Sequence, residues 1–257
     1  MTPTTITSNC ALSLSAVSRN FGGIRAVADI SFDVSHGRRI TIIGTNGAGK
    51  STLFNLITGV YPLSSGSIKI FDQDVSNQPA HSRAQMGVAR TFQTSKLFQG
   101  LTLRENLFVA LRQALGIRKI GWLANPSVSE ELQLQSTQIL KKVDLLEKAE
   151  VLVSDISHGE SRQLELAMAL AMQPKILMLD EPAAGISPNE RGRLIELLKD
   201  LDKDLTLVLI EHDMSVALSV ADEVIVMHEG STFLHGSPDE IRNSKSVREL
   251  YLGSSSE

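Results

Sequence analysis

Two stretches near the start of the chain, Leu12 to Ser18 and Ala26 to Val34, alternate apolar and polar residues, the period of a strand with one face buried. They flank Phe21-Gly22-Gly23, a turn that carries an aromatic ring. Ile40-Thr41-Ile42-Ile43 reads instead as a short buried strand. A helix-compatible run follows from Ser51 to Thr58, then turns at Tyr61-Pro62 and Ser64-Ser65-Gly66. Ser67 to Phe71 is predicted as a short strand, and Gly87 to Phe92 as a β-like segment leading into Gln93.

The pattern changes from Leu101 to Leu146. Thr102 caps a helical run to about Leu115, a Gly/Trp/Pro stretch from Gly116 to Pro126 interrupts it, and Ser129-Glu130-Glu131 opens a second helix to about Val143. Trp122, the only tryptophan, lies in that interruption, either as a local anchor or as a partner contact. Ser157 to Met172 reads as a loop and then a helix whose apolar face is Leu164, Leu166, Ala167, Leu170 and Ala171. Buried strands at Lys175–Leu179 and Leu205–Ile210 end in Asp180-Glu181 and Glu211-His212. Helices from Pro188 to about Leu201 and Met214 to Val220, and strands Glu223–Met227 and Thr232–His235, complete the reading. Strands alternating with helices after residue 40 predict an α/β fold with a mostly parallel sheet and helices on both faces, beside an antiparallel β element from the early strands. The expected organisation is a frayed tail over 1–10 and a single domain over 11–257, with a helical insertion at about 94–172.

The chemistry lies at the turns between these elements. Gly44-Thr45-Asn46-Gly47-Ala48-Gly49-Lys50-Ser51-Thr52 fits G-x-x-x-x-G-K-[ST], with a strand before it and a helix after it. Glycines let successive N–H groups turn toward one anion, and the helix N-terminus adds favourable partial charge. Lys50 can reach β- and γ-phosphates, and the Ser51 hydroxyl can ligate Mg²⁺. In a P-loop NTPase fold the strand ending at Asp180 lies near this loop, so Asp180 is expected to hold Mg²⁺ and Glu181 to polarise an attacking water as general base. His212 is expected at the same sheet edge, in reach of a γ-phosphate or that water, and the Gln93 amide can reach Mg²⁺ and water. Phe21 is either a stacking ring for a base or a core aromatic in a turn. The six histidines show no metal-ligand spacing.

Composition narrows the class. A net charge of −4 argues against a general nucleic-acid binder, which needs a basic excess. There is no apolar run long enough to span a bilayer, and Met1 to Asn9 lacks the basic and apolar regions of a signal peptide. The single cysteine, Cys10, forms no internal disulfide and reads as a small apolar residue beside the first strand. The resulting expectation is a cytoplasmic protein.

Ile156-Ser157-His158-Gly159-Glu160, just upstream of Asp180-Glu181, resembles the Leu-Ser-Gly-Gly-Gln signature of ATP-binding cassette (ABC) ATPases. The resemblance runs from about Leu12 to the C-terminus. It implies the ABC ATPase variant of the P-loop NTPase fold, with an antiparallel β subdomain and a helical subdomain, and ATP and Mg²⁺ as ligands. It implies roles for Phe21 against adenine, for Asn46 through Thr52 around the phosphates, for Gln93 and His212 as sensors of the γ-phosphate, and for Ala183 to Ser187 as the loop that follows the acidic pair. Ser157, Gly159 and Glu160 would complete a second anion site, directed at a nucleotide held by another subunit. Asn20-Phe21-Gly22-Gly23, Arg90-Thr91-Phe92-Gln93, Asp180-Glu181-Pro182-Ala183-Ala184-Gly185, Ile210-Glu211-His212-Asp213-Met214 and Tyr251-Leu252-Gly253 resemble the ATPases of branched-chain amino acid and urea or amide importers.

That resemblance implies a second cassette subunit, permease subunits and a periplasmic solute-binding protein as partners, and a location on the inner face of the membrane. Cassette ATPases acting on DNA or ribosomes usually carry a long coiled coil between the nucleotide motifs, or two cassettes in one chain; neither pattern is present. An exporter of lipid or lipopolysaccharide would differ mainly in its membrane partner. His158 and Glu160 depart from the family's glycine and glutamine, and Ser187 stands where many cassettes have aspartate. Leu97 and Phe98, apolar residues in the loop after Gln93, are expected either to pin that loop or to form the groove for a permease helix.

Overall fold

A computed structural model describes residues 10–91, 97–116 and 126–253. The chain forms two compact units, one from Met1–Met86 with Asp202–Glu257 and the other from Gly87–Leu201. The helical insertion expected at about 94–172 falls within the second unit, which extends beyond it at both ends.

The first unit begins with the long antiparallel hairpin of β1 (Cys10–Phe21) and β2 (Ile24–Ser35). With β4 (Ser65–Ile70) and β5 (Gln73–Asp74) it makes a four-stranded sheet in the order β2-β1-β4-β5. The expected alternation is present: Leu12, Leu14, Ile30, Phe32 and Val34 are buried while Ser31 and Asp33 between them are exposed. Breaks in register along β1 coincide with Ala16 and Asp29 at positive φ, so the hairpin carries bulges that add local twist.

The same unit holds β3 (Arg39–Gly44), flanked in parallel by β8 (Thr206–Ile210) and β9 (Glu223–His228), with β10 (Ser231–Gly236) antiparallel to β9. β8 is buried at every residue, and the interior of β3 and β9 is buried too, as parallel strands covered on both faces require. Helix α1 (Lys50–Ile57) leaves the β3 edge, and α7 (Met214–Val220) packs on β3. Three short helices are absent from the sequence reading: α2 (Ala80–Gln85), α8 (Pro238–Asn243) and α9 (Lys245–Gly253). α8 and α9 contribute Ile241, Val247 and Tyr251 to a core with Ile43, Ala217, Val224 and Val226.

Arg83 of α2 is 1% exposed, and it caps α1. Its guanidinium donates to the carbonyls of Leu56 (2.8 Å) and Ile57 (2.7 Å), and also to Val75 (2.7 Å) and Gln78 (3.1 Å). A cation at the C-terminus of α1 meets the negative end of the helix dipole and satisfies carbonyls that the helix leaves open.

In the second unit, β6 (Val88–Arg90) pairs in parallel with β7 (Ile176–Asp180), which is buried throughout. Helices α3 (Leu103–Ala114), α4 (Pro126–Lys142) and α5 (His158–Ala171) pack on one another, and α6 (Pro188–Lys199) follows β7. Arg104 ties the bundle, reaching Glu150 (2.6 Å), Ser136 (3.0 Å) and Thr137 (3.1 Å). Trp122 lies outside the described residues. Among the described residues no helix is long and apolar enough to cross a membrane.

Candidate functional site

Strand β3 runs into the glycine-rich loop at Gly44, and the loop runs into α1 at Lys50. The cap residue Gly49 has φ 95°, and no side chain caps α1 or places an acid in its first turn. By contrast α3, α5, α6 and α8 each begin with a reciprocal capping box in which a carboxylate occupies the helix start. The start of α1 thus carries neither a capping side chain nor an acid, and the positive end of its dipole favours an anionic ligand. A side chain at Gly49 would strike the Ala26 carbonyl of β2, so the hairpin braces the loop from below. Gly230 adds to the brace: its N–H donates to Ala48 (3.1 Å), and its carbonyl accepts from Ala28 (2.8 Å). Asn46 and Gly47 are exposed at the crest, and Ser51 and Thr52 are half-buried in the first turn of α1.

Lys50 is buried, and its Nζ donates to the carbonyls of Gly44 (2.8 Å) and Thr45 (3.0 Å). The cation is therefore held across the loop by the loop's own carbonyls. Beneath the loop lies Tyr251 of α9; burial pushes its phenol up to about 12, while the Gly44 backbone pulls the other way.

His212 follows β8 at the edge from which the phosphate loop departs: Ile42 and Ile210 are register partners, and the Glu211 N–H donates to Ile42 O (3.1 Å). Its side chain is 54% exposed, whereas that of Glu211 is fully buried. The Glu211 carboxylate accepts the N–H groups of His212 (3.2 Å) and Asp213 (3.4 Å) and lies 3.9 Å from the imidazole Nδ1. Glu211 is thus a positioning group for His212, and the sequence reading gave it no role. Its signal was a charged residue in direct continuation of five buried positions.

Phe21 ends β1. The Arg19 guanidinium lies over its ring at 4.6 Å, Tyr61 meets it edge-on at 5.5 Å, and the residue stays 40% exposed. It is therefore not a core aromatic. It belongs to the hairpin that braces Gly49, so a base stacked there would be attached to the phosphate-loop side of the unit.

In the second unit Asp180 closes β7 and is 6% exposed. Its N–H meets the Thr91 hydroxyl at 3.4 Å, just after β6. Burial pulls the Arg90 guanidinium below its ordinary value, and the charge of Asp180 works against that pull. Glu181 comes next with φ 49°, a left-handed backbone that costs a glutamate of order 1–3 kcal/mol. Strain of this kind persists only where the surroundings enforce it. Gln93 lies outside the described residues.

The signature stretch opens α5. Ser157 is its cap, accepting the Glu160 N–H (3.2 Å), and its own N–H donates to Glu160 Oε2 (2.9 Å). Burial by itself would raise the Glu160 pKa, but its bonds to Lys148 (2.5 Å) and Ser157 outweigh that and lower it. The carboxylate that replaces the family's glutamine is therefore committed to the helix cap and to Lys148. Ser187 caps α6 in the same way with Glu190.

Leu97 and Phe98 part company. Leu97 is buried, as a residue that pins the loop would be, while Phe98 is 49% exposed. The cause is Asn106 of α3, fully buried, whose amide accepts the Phe98 N–H (2.9 Å) and donates to the Phe98 carbonyl (3.1 Å).

Among the described residues there is no group of three or more His, Cys, Asp or Glu that could hold a metal. Ser51 in the first unit and Asp180 in the second are each a hard oxygen donor of the type that Mg²⁺ accepts beside water and phosphate oxygens.

The sequence pattern of the family described as ABC transporter matches residues 27–184. The high-affinity branched-chain amino acid transport ATP-binding protein LivG of Escherichia coli (strain K12) is 40% identical over 249 residues, which covers 94% of this chain and 97% of LivG. The protein of the same description from Pseudomonas aeruginosa, BraF, is 35% identical over 248 residues, with 94% and 97% covered. Among solved structures, an ATP-binding cassette of an ABC transporter in its ADP conformation superposes with a TM-score of 0.82 at 26% identity, covering 95% of this chain and 99% of that one.

Proposed function

The chain belongs to the ABC transporter family of ATPases, and from that premise we propose that it is the ATP-hydrolysing subunit of an importer for branched-chain amino acids or related small polar solutes. The observation that carries the nucleotide role is the start of α1, a helix end with no side-chain cap and a buried lysine held across its loop. Asn46 to Thr52 hold the β- and γ-phosphates, and Phe21 stacks on the adenine. Ser51, Gln93 and Asp180 hold Mg²⁺, which draws charge from the terminal phosphates when bound. Glu181 takes a proton from the attacking water, and His212, oriented by Glu211, steadies the γ-phosphate. Ser157 and Gly159 contact a nucleotide held by a second cassette subunit, with Glu160 keeping the cap of α5 in shape. Two cassettes close on ATP and open after hydrolysis, and permease subunits convert that cycle into alternating access for a solute brought by a periplasmic binding protein. The subunit works on the cytoplasmic face of the membrane. The names of LivG and BraF support the solute class.

Lys50→Ala tests the nucleotide role. It removes the charge held across the loop, and affinity for a fluorescent ATP analogue should fall by about tenfold to a hundredfold, the worth of charge-assisted bonds to phosphate. Equal affinity in titration would remove the loop from its assignment.

The permease is expected on the Phe98 surface. A fully buried amide that fixes both backbone groups of an exposed aromatic residue points to a ring kept in place for a partner. Exposed aromatics of this kind serve as anchors for a helix laid in a groove. Phe98→Ala should leave ATP binding by the isolated subunit intact, weaken co-purification with the permease by about tenfold or more, and abolish transport-coupled hydrolysis. Normal assembly with normal stimulated hydrolysis would place the docking surface elsewhere.

A further inference from the structure

The signature serine already has an anionic partner inside its own subunit. Ser157 Oγ donates to Glu190 Oε1 at 3.0 Å. The other oxygen of that carboxylate accepts both the N–H (2.9 Å) and the hydroxyl (2.7 Å) of Ser187. One carboxylate thus joins the start of α5 to the start of α6. Gly159 fits the arrangement, since a side chain there would strike Glu190 Oε1. His158 lies over Gly185 in the loop before Ser187. The bonds from Ser187 are the largest cause of the lowered Glu190 pKa, so the group is a carboxylate at neutral pH.

A hydroxyl has one proton to donate. While Ser157 gives it to Glu190, it has none for a phosphate oxygen, and the carboxylate repels an approaching phosphate besides. We propose that Glu190 is a gate on the signature: it holds the Ser157 hydroxyl in the open subunit and must surrender it before the nucleotide of the facing subunit can dock. This rests on the reading of Ser157 as a contact to a nucleotide held by a second copy of the chain. The gate also links two loops. When the phosphate takes the Ser157 proton, Glu190 keeps its bonds to Ser187, and the tie between α5 and α6 is released at one end only. When the phosphate leaves, Glu190 recovers the hydroxyl and the open form is restored.

Glu190→Gln isolates the effect. Its amide oxygen can still accept the Ser187 N–H and hydroxyl, preserving the cap of α6, while its NH₂ turns to Ser157 and donates to it. That frees the Ser157 proton and removes the negative charge. In a Glu181→Gln background, where hydrolysis is blocked, light scattering should show Mg-ATP-dependent dimers at about tenfold lower ATP than in the parent. Affinity of the monomer for a fluorescent ATP analogue should not change. Glu190→Ala should shift dimer formation in the same direction, with circular dichroism reporting that α6 is kept. If the parent dimerises and Glu190→Gln needs the same or more ATP, the gate is overturned and the shared-nucleotide reading stands. If the parent gives no dimer at any ATP concentration, the shared-nucleotide reading falls and the gate with it.

Discussion

Replacing Glu181 by glutamine should leave nucleotide binding in place and slow hydrolysis by about 10²- to 10⁴-fold, the range expected for loss of a general base. Three observations support the proposal that turnover depends on Glu181. It directly follows β7, a strand buried at every residue, so its Cα is fixed by a rigid element. Its neighbour Asp180 is 6% exposed and ends that strand, which fits a group that holds a cation rather than one that exchanges protons with bulk water. Its own φ of 49° is a conformation that glutamate adopts at a cost. Glutamine has the same shape and carries the same backbone cost, so the variant should fold as the parent does and lose only the capacity to accept a proton. Glycine pays no such cost, and Glu181→Gly should gain about 1 kcal/mol in urea unfolding relative to Glu181→Ala. Steady-state phosphate release measures the first effect; a rate within a few-fold of the parent's would assign the base to another residue.

The elements legible in the sequence are those whose signal is local. β7, β8 and β9 are continuous apolar runs, and the starts of α3, α5 and α6 carry a hydroxyl followed three residues later by a glutamate. The phosphate loop was legible because its residue types are fixed by close approach as well as by chemistry, as the clash at Gly49 shows. What escaped depends on distant partners. α2 and α8 are six-residue helices of mostly polar composition, too short to display a period. Leu97 and Phe98 are adjacent and equally apolar, and only Asn106, eight residues beyond Phe98, separates their fates. Glu190 reads as an ordinary third residue of a helix; its second role comes from Ser157, 33 residues earlier. Glu211 and Arg83 look like surface charges, and both are buried.

Arg83→Leu should cost the first unit about 3–5 kcal/mol, the loss expected when one side of a buried charged network is removed. The argument begins with the acceptors. Leu56 and Ile57 belong to the last turn of α1, whose carbonyls have no partner within the helix, and Val75 and Gln78 lie in the segment that crosses beneath it. Leucine fills much of the volume but removes this donor from all four carbonyls; Leu56 and Val75 keep the N–H groups of Gly59 (3.2 Å) and Gln78 (2.9 Å), while for Ile57 and Gln78 the loss leaves a buried acceptor that costs about 1–3 kcal/mol. Burial pulls the guanidinium down to about 10, with Asp74 opposing that shift, so Arg83 is still charged at neutral pH and its bonds are charge-assisted. Arg83→Lys keeps the charge but presents a single nitrogen in place of a planar fork, and it should recover only part of the loss. The effect should also reach the other end of the helix. α1 is eight residues long, about 12 Å, so loosening its last turn loosens the start that faces the phosphates. The same ATP concentration should then restore less stability to Arg83→Leu than to the parent, because binding stabilises by the logarithm of ligand concentration over Kd, and a weaker site has the larger Kd. Urea unfolding with and without ATP measures both terms. A loss below about 1 kcal/mol would mean that water replaces the guanidinium at these carbonyls and that α1 is held by its apolar face alone.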